Sequence, residues 1–321
     1  MAQLSELKVF VIAAEELSFS RAAERLHLSQ SAVSQNIHSL EHEFGVELFE
    51  RKGRSVRLSE AGHALLPLAQ EAVNAIYRMN EVMNRIEGKV AGELIIGCST
   101  TSGKYLLPGL VAAYRHEYPL VRVRIKVLAR DEVIGRLIDE RLMLGIASHK
   151  IEHRDLEYAP FFEDRVILIV PAHHRWADFG RALPADLVDE PLIMREERAG
   201  TTQVLSEGLA QHGITLDMLN PIMEIGNAEA IEMAVEEGIG MAFVSELAAA
   251  RGLALGRIKK VEVEGLDLRR TIYLARNVGH SSTRAQERFW TFVVDRRTEF
   301  TAEVGRLTNT LQQLGADPEM P

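Results

Sequence analysis

Residues 18–62 read SFSRAAERLHLSQSAVSQNIHSLEHEFGVELFERKGRSVRLSEAG, and this stretch decides the architecture of the N-terminal part of the chain. Just ahead of it, Leu7, Phe10, Val11, Ala14 and Leu17 recur at the spacing of one helical face, which predicts an opening amphipathic helix. Ser20 is placed to cap a short helix whose Ala22, Ala23 and Leu26 permit close packing. Ser29 is placed to cap a longer one, in which Val33, Ile37, Leu40 and Phe44 point inward and Gly45 supplies a left-handed closing residue. A hairpin turned at Gly53 follows, with Arg51, Lys52, Arg54 and Arg57 giving four basic residues in seven positions. Two short helices, a tight turn, a longer helix and a basic hairpin are the layout of a winged helix-turn-helix, so double-stranded DNA is the first partner to consider.

Removing the inward face of the longer helix leaves Ser31, Ser34, Gln35, His38 and His42 outside, with Gln30 at the leading end. Short hydroxyls and amides near the start of a helix are the chemistry that meets base edges or phosphates in the major groove. Gln30 and Gln35 are candidates for adenine contacts, each worth ~1–3 kcal/mol of discrimination when bidentate. The hairpin would supply phosphate contacts or insert an arginine into the minor groove. A solvated helix face is the better account of His38, His42 and Lys52. For Ser34, Gln35 and Arg54 the coincidence of face, helix end and basic wing favours DNA contact, and Gln30, Ser31 and Arg51 complete the candidate set. Residues 1–58 carry seven Lys/Arg against eight Asp/Glu, so the basicity is local to the wing. The net charge of −9 argues against indiscriminate binding of nucleic acid.

At 321 residues the chain exceeds one typical core and suggests two or three domains. The opening MAQLSELKVF lacks a basic segment followed by an apolar one, and no run approaches the ~18 apolar residues of a membrane span, so a cytoplasmic protein without a membrane partner is expected. A single cysteine rules out an internal disulfide framework and a cysteine-cluster metal site. The pairs His149/His153 and His173/His174 lack metal-ligand spacing, so neither metal nor cofactor is expected.

Behind the wing, a linker segment over 59–90 places Ala61, Leu65, Leu68, Ala72, Ala75, Met79, Val82 and Ile86 at alternating four- and three-residue steps, the seam of a coiled coil. Such a helix is roughly 42 Å long and points to paired copies on a partly palindromic operator; Pro67 should bend it near His63–Leu66. From 91 to 300, short apolar strands alternate with helical segments, the pattern of an α/β domain, and a polar tail occupies 301–321. The strand Glu93–Cys98 runs into Ser99, Thr100, Thr101, Ser102 and Gly103 before a helix, a place where hydroxyls and free amides can hold an anion or small polar ligand. Two further helix starts of this kind follow, at Thr201–Thr202 after the strand Pro191–Met194 and at Gly226–Asn227.

The elements AAE-L, S-Q-S-A-V-S, LE-x-x-x-G-x-x-LF-x-R and L-S/T-x-A-G, nearly gapless over about sixty residues, strongly resemble the N-terminal domain of LysR-type transcriptional regulators, with Ser59 where many members carry threonine. The resemblance extends more weakly over the rest of the chain. It implies a linker helix, then a two-lobed effector domain like type 2 periplasmic binding proteins, assembly as homodimers and homotetramers, and RNA polymerase as a further expected partner. On that pattern one lobe comprises 93–161 plus 268–300 and the other 162–267, with crossings near Phe161–Asp164 and Gly265–Leu268. The three helix starts then face each other across a cleft, which assigns a small, anionic effector to Ser99, Thr100, Thr101, Ser102, Arg195, Thr202 and Asn227, with Lys104 as a further charge partner. Capping is a strong competing account of Ser99 and Thr201. At RLMLGIAS, residues 141–148, Met143 replaces an acid usual in the family, which puts in doubt any contact made by that acid.

Cys98 beside this cleft would make a redox sensor conceivable, but a lone buried cysteine is more often an inert small hydrophobe. No G-x-S-x-G, phosphate-binding loop or G-x-G-x-x-G is present, so no catalytic reading has residues behind it. The rival to a DNA-binding regulator is an enzyme or solute-binding protein built on the same two-lobed domain, and neither would need residues 1–87.

Overall fold

The computed structural model describes residues 3–52, 55–86, 89–197 and 199–302, and the chain divides after Lys89 into two compact units. In the first unit α1 (Leu4–Glu16), α2 (Phe19–Leu26) and α3 (Gln30–Phe44) lead into the antiparallel wing β1 (Phe49–Lys52) and β2 (Ser55–Leu58), and then into α4 (Glu60–Ile86). Phe10, Val33, Ile37, Leu40 and Leu48 close the core, with Phe10 and Phe19 meeting Phe49 edge-on at 5.7 and 5.2 Å. Gly62 is required where α4 starts, because a Cβ there would strike the Leu48 carbonyl.

Two local expectations are corrected. The cap of α2 is Ser18, whose Oγ accepts from Arg21 N at 3.4 Å, while Ser20 lies inside the first turn. Leu17 and Phe44 leave the core: Leu17 is the left-handed C-cap of α1, and Phe44 is the last residue of α3, 44% exposed. Helix ends outrun the surface they pack on, so periodicity alone overextends the buried stripe. Pro67 lies within α4, which buries Val73, packs Leu66 and Ala69 into the first unit's core, and leaves Leu68 and Met79 of the expected seam 62% and 64% exposed.

The second unit is a two-lobed α/β domain. In chain order it comprises β3 (Gly92–Cys98), a π-helical turn at Ser102–Leu106, α5 (Leu107–Glu117), β4 (Val121–Val127), α6 (Arg130–Ile138), β5 (Leu144–Ala147) and the long β6 (Leu156–Pro171). Then come β7 (Arg181–Ala182), β8 (Pro191–Met194), α7 (Gly200–Ala210), β9 (Asn220–Glu224), α8 (Ala228–Glu236), β10 (Met241–Ser245), α9 (Glu246–Ala254), β11 (Ile258–Val263), β12 (Leu268–Asn277) and α10 (Arg284–Asp295). Strands follow the order β4-β3-β5-β12-β6-β10-β8-β9, with β11 alongside the later half of β6.

The antiparallel pair β6 and β12 carries the chain between the lobes, and the return crossing falls at the start of β12, where Leu268 pairs with Val166. In the second lobe β6 reads Val166-Ile167-Leu168-Ile169-Val170 without a polar break, because both sheet faces are covered: Val166, Leu168 and Val170 pack with Leu192 and Phe243, and Ile167 and Ile169 with Ile231 and Val244. The first lobe packs Leu94, Ile96, Leu144 and Ile146 on Tyr114 and Phe289. Met143 packs beside that core, its carbonyl accepting from Gln286 Nε2 at 2.8 Å, so position 143 does not line the cleft and the departure there costs no cleft contact. Thr301 and Ala302 are helical, and the rest of the expected tail lies outside the described residues.

Candidate nucleic-acid interface and effector cleft

In the first unit Ser29 Oγ accepts from Ala32 N at 3.1 Å and contacts Ser31 Oγ at 2.9 Å, and Gly45 adopts φ +69°, so α3 starts and stops as its sequence predicts. With Val33, Ile37 and Leu40 buried, Gln30, Ser31 and Gln35 are exposed and Ser34 is half-buried on the opposite face. Two carboxylates that periodicity did not single out fix this helix. Glu6 accepts from Ser39 Oγ at 2.7 Å and from Gln3 N at 2.8 Å, bonds that hold its carboxyl below the ordinary range. Glu41 Oε1 accepts from Leu48 N at 2.8 Å and from Phe49 N at 3.3 Å, which ties the wing to α3. Arg51 lies in β1 opposite Val56, Arg57 is exposed on β2, and Arg54 lies outside the described residues.

In the second unit a cavity of about 740 Å³ opens between the lobes. Of the residues expected there, Ser99, Thr100, Thr101 and Arg195 reach its wall, and Ser102, Thr202 and Asn227 do not. Ser102 is buried and takes a 3.3 Å hydrogen bond from Ser99 Oγ. Thr202 is buried and donates to the Glu196 carbonyl at 3.1 Å; its neighbour Thr201 lines the cavity instead, since successive helix residues point about 100° apart. Asn227 caps α8, its Oδ1 accepting from Glu229 N and Ala230 N at 2.9 and 3.0 Å. Lys104 also lies off the cavity wall and pairs with Glu229 at 3.1 Å, which accepts from Tyr105 Oη as well. Burial acts to raise the Glu229 carboxyl, but these two bonds hold it below its ordinary value.

Sequence reading passed over the residue that organises the cavity floor. Arg270 lines it with only 10% of its side chain exposed, directly across the strand pair from the buried Asp164. Its Nε and Nη2 lie 2.8 and 2.7 Å from Asp164 Oδ2, its Nη1 donates to Thr201 Oγ1 at 3.2 Å, and Ser245 Oγ donates to Asp164 Oδ1 at 2.6 Å. The signal was present, since Leu268, Arg270 and Ile272 share one face of an alternating strand and an arginine in an apolar register must be paired. Gly200 meets this group at the start of α7: a Cβ there would strike Ser148 Oγ and stand 2.9 Å from Arg270 Nη1. Both α6 and α7 have an alanine on the cavity wall at the N-cap, Ala129 and Ala199, so no N-cap side chain satisfies their leading backbone N–H groups.

The wall also carries Asp131, Glu132, Glu196 and Glu197. Glu132 is held by Arg136 at 2.6 Å, and Glu196 by a two-pronged contact from Arg195 at 2.8 and 2.9 Å. Burial acts to raise the Glu196 carboxyl, yet Arg195 holds it below its ordinary value. Cys98, next to this wall, is fully buried, and burial pushes its thiol up to about 12, far from thiolate chemistry. Among the described residues no helix is long and apolar enough to cross a membrane.

A helix-turn-helix with a wing, joined to a two-lobed domain with a cleft at its strand crossing, defines a ligand-responsive regulator. Residues 4–63 match the family model of the bacterial regulatory helix-turn-helix protein, lysR family, and residues 87–298 that of the LysR substrate binding domain. An uncharacterized HTH-type transcriptional regulator of Methanocaldococcus jannaschii is 32% identical over 291 residues, covering 91% of this chain and 98% of its own. A probable RuBisCO transcriptional regulator of Nostoc sp. is 31% identical over 289 residues, covering 89% and 86%. The chain belongs to the LysR family of transcriptional regulators. Its fold is that of CbnR, a LysR family regulator, with a TM-score of 0.67 at 22% identity over 92% of this chain and 99% of that one. The Synechocystis CcmR regulatory domain, solved in complex with 2-PG, aligns with a TM-score of 0.59 at 25% identity over 64% of this chain and 97% of its own.

Proposed function

We propose that this LysR-type regulator reads a partly palindromic operator through Gln30, Ser31, Ser34 and Gln35 of α3, with Arg51 and Arg54 of the wing on the phosphates. It acts as a homodimer or homotetramer joined through the exposed Leu68 and Met79 seam of α4, with RNA polymerase as its partner at the promoter. It does so in the cytoplasm and is not an enzyme. A small effector sits in the cavity on Ser99, Thr100, Thr101, Arg195, Ser148, Thr201 and Arg270, and its binding changes DNA affinity or bend by moving the segments 93–161 plus 268–300 against 162–267. The observation that carries this reading is a cavity of about 740 Å³ walled from both lobes, with hydroxyl and charged side chains among its lining, in a chain that also holds a helix-turn-helix. It is supported by relatives: a CbnR structure was solved with its target DNA, and the CcmR domain with 2-PG.

Gel-shift titration on the DNA upstream of its own gene tests the reading. Salt-sensitive, sequence-dependent binding is expected. Gln35→Ala should relax preference at one base step by ~1–3 kcal/mol, whereas Arg54→Ala should weaken all sequences and reduce the salt slope by about one. Binding that ignores sequence at every salt concentration would sink the proposal.

A further inference from the structure

We infer that the effector is an ampholyte, with an anionic group seated at Arg270 and Thr201 and a cationic group facing Asp131 and Glu197. The inference rests on reading the cleft as the effector site and narrows the ligand that the site accepts. A guanidinium has five N–H donors, and Arg270 directs two at Asp164 and one at Thr201. One donor on each Nη remains, on a side chain nine-tenths buried and fixed by Asp164 from behind, so it meets a carboxylate or phosphate with little ordering cost. Ser148 Oγ and the uncapped start of α7 at Gly200 border the same spot, and Gly200 is what lets them approach.

The rest of the wall has the opposite character. Its ionisable side chains are two arginines and four carboxylates, so a multiply charged anion would meet surplus negative charge once past Arg270. Two of those carboxylates, Glu132 and Glu196, already have arginine partners. Asp131, from the first lobe, lies 3.9 Å from the His149 ring, and Glu197, from the second, is exposed and makes no ion pair among the described residues. A simple amine would find Arg270 and two helix N-termini against it. A molecule bearing one charge of each sign satisfies both ends, and 740 Å³ falls within the usual range for a small-ligand site.

The test is isothermal titration of the full-length protein with the twenty common amino acids, and, for each that binds, with the des-amino carboxylate and the decarboxylated amine of the same skeleton. At least one amino acid should bind, and both monofunctional partners should be at least about tenfold weaker. In Asp131→Asn with Glu197→Gln, two exposed positions whose change spares the core, the des-amino carboxylate should recover to within about threefold of its amino acid. A carboxylate or inorganic phosphate that binds the unmodified protein as tightly as any amino acid overturns the ampholyte, as does failure of the whole series. The reading of the cleft itself fails by a different result: ligand binding unchanged in both Thr100→Val and Ser148→Ala.

Discussion

Removing the carboxylate beneath Arg270 isolates the energetics of the cavity floor. Asp164 is 2% exposed and accepts from Ser245 Oγ and from two guanidinium nitrogens of Arg270. Asp164→Leu leaves that guanidinium buried without a counter-ion, which costs about 3–5 kcal/mol. For a unit of this size each kcal/mol moves the midpoint by ~2–4 °C, so the melting temperature should fall by roughly 6–20 °C. Adding Arg270→Met should recover most of the loss, because the double change removes both desolvation penalties together with the attraction between the ions. The assay is unfolding followed by tryptophan fluorescence. Both tryptophans, Trp176 and Trp290, lie in the second unit, so the signal reports that unit alone. A single variant within about 1 kcal/mol of the parent, or a double variant no more stable than the single, would refute the claim that this pair is an obligate buried couple.

Other outcomes follow from individual contacts. Gly200→Ala places a methyl against Ser148 and Arg270, so the ligand response measured by titration should weaken at least tenfold while gel-shift affinity for the operator stays within about twofold. Cys98 should resist an aromatic disulfide reagent in the native protein and react only on denaturation, and Cys98→Ala should leave DNA binding unchanged by peroxide, as in the parent. Burial in α8 raises the Glu232 carboxyl, with Glu236 and Glu229 adding to the effect and Gly252 N–H and Arg251 opposing it. A folded value above the unfolded one means that folding favours the protonated form, so this group's contribution is best at acid pH and is lost as pH rises through the folded value. Glu232→Gln should therefore raise the urea midpoint at pH 7 and leave it unchanged near pH 4.

Much of this architecture could be read before any coordinates. Val33, Ile37 and Leu40 declare α3 by spacing, Ser29 and Gly45 delimit it, and the basic wing follows at its expected place, because these features depend on contacts a few residues apart. The cleft was half legible: Ser99 to Thr101 mark it, as does the turn before α7. The choice between Thr201 and Thr202 needed the phase of a helix, set by where Ala199 starts it. Ser148 and Gly200 come together across 52 positions of chain, and nothing local in either announces the other. Arg270 is the instructive case. Its alternation with Leu268 and Ile272 was visible, yet its meaning depended on Asp164, 106 positions away on the neighbouring strand.

The paired strands β6 and β12 also limit how a signal can leave the cavity. All ten residues of β12 are registered against β6, broken only by one irregularity beside Ile272 and Tyr273. Two rods laced together in this way cannot slide, since a slip of one step would turn the whole inner row of side chains outward. They can flex and they can twist, and the irregularity is where the ladder is softest. On the proposed reading, a ligand that drew the two lobes together would therefore act on this strand pair as a bending load, and the result would be a changed angle between the halves of the second unit.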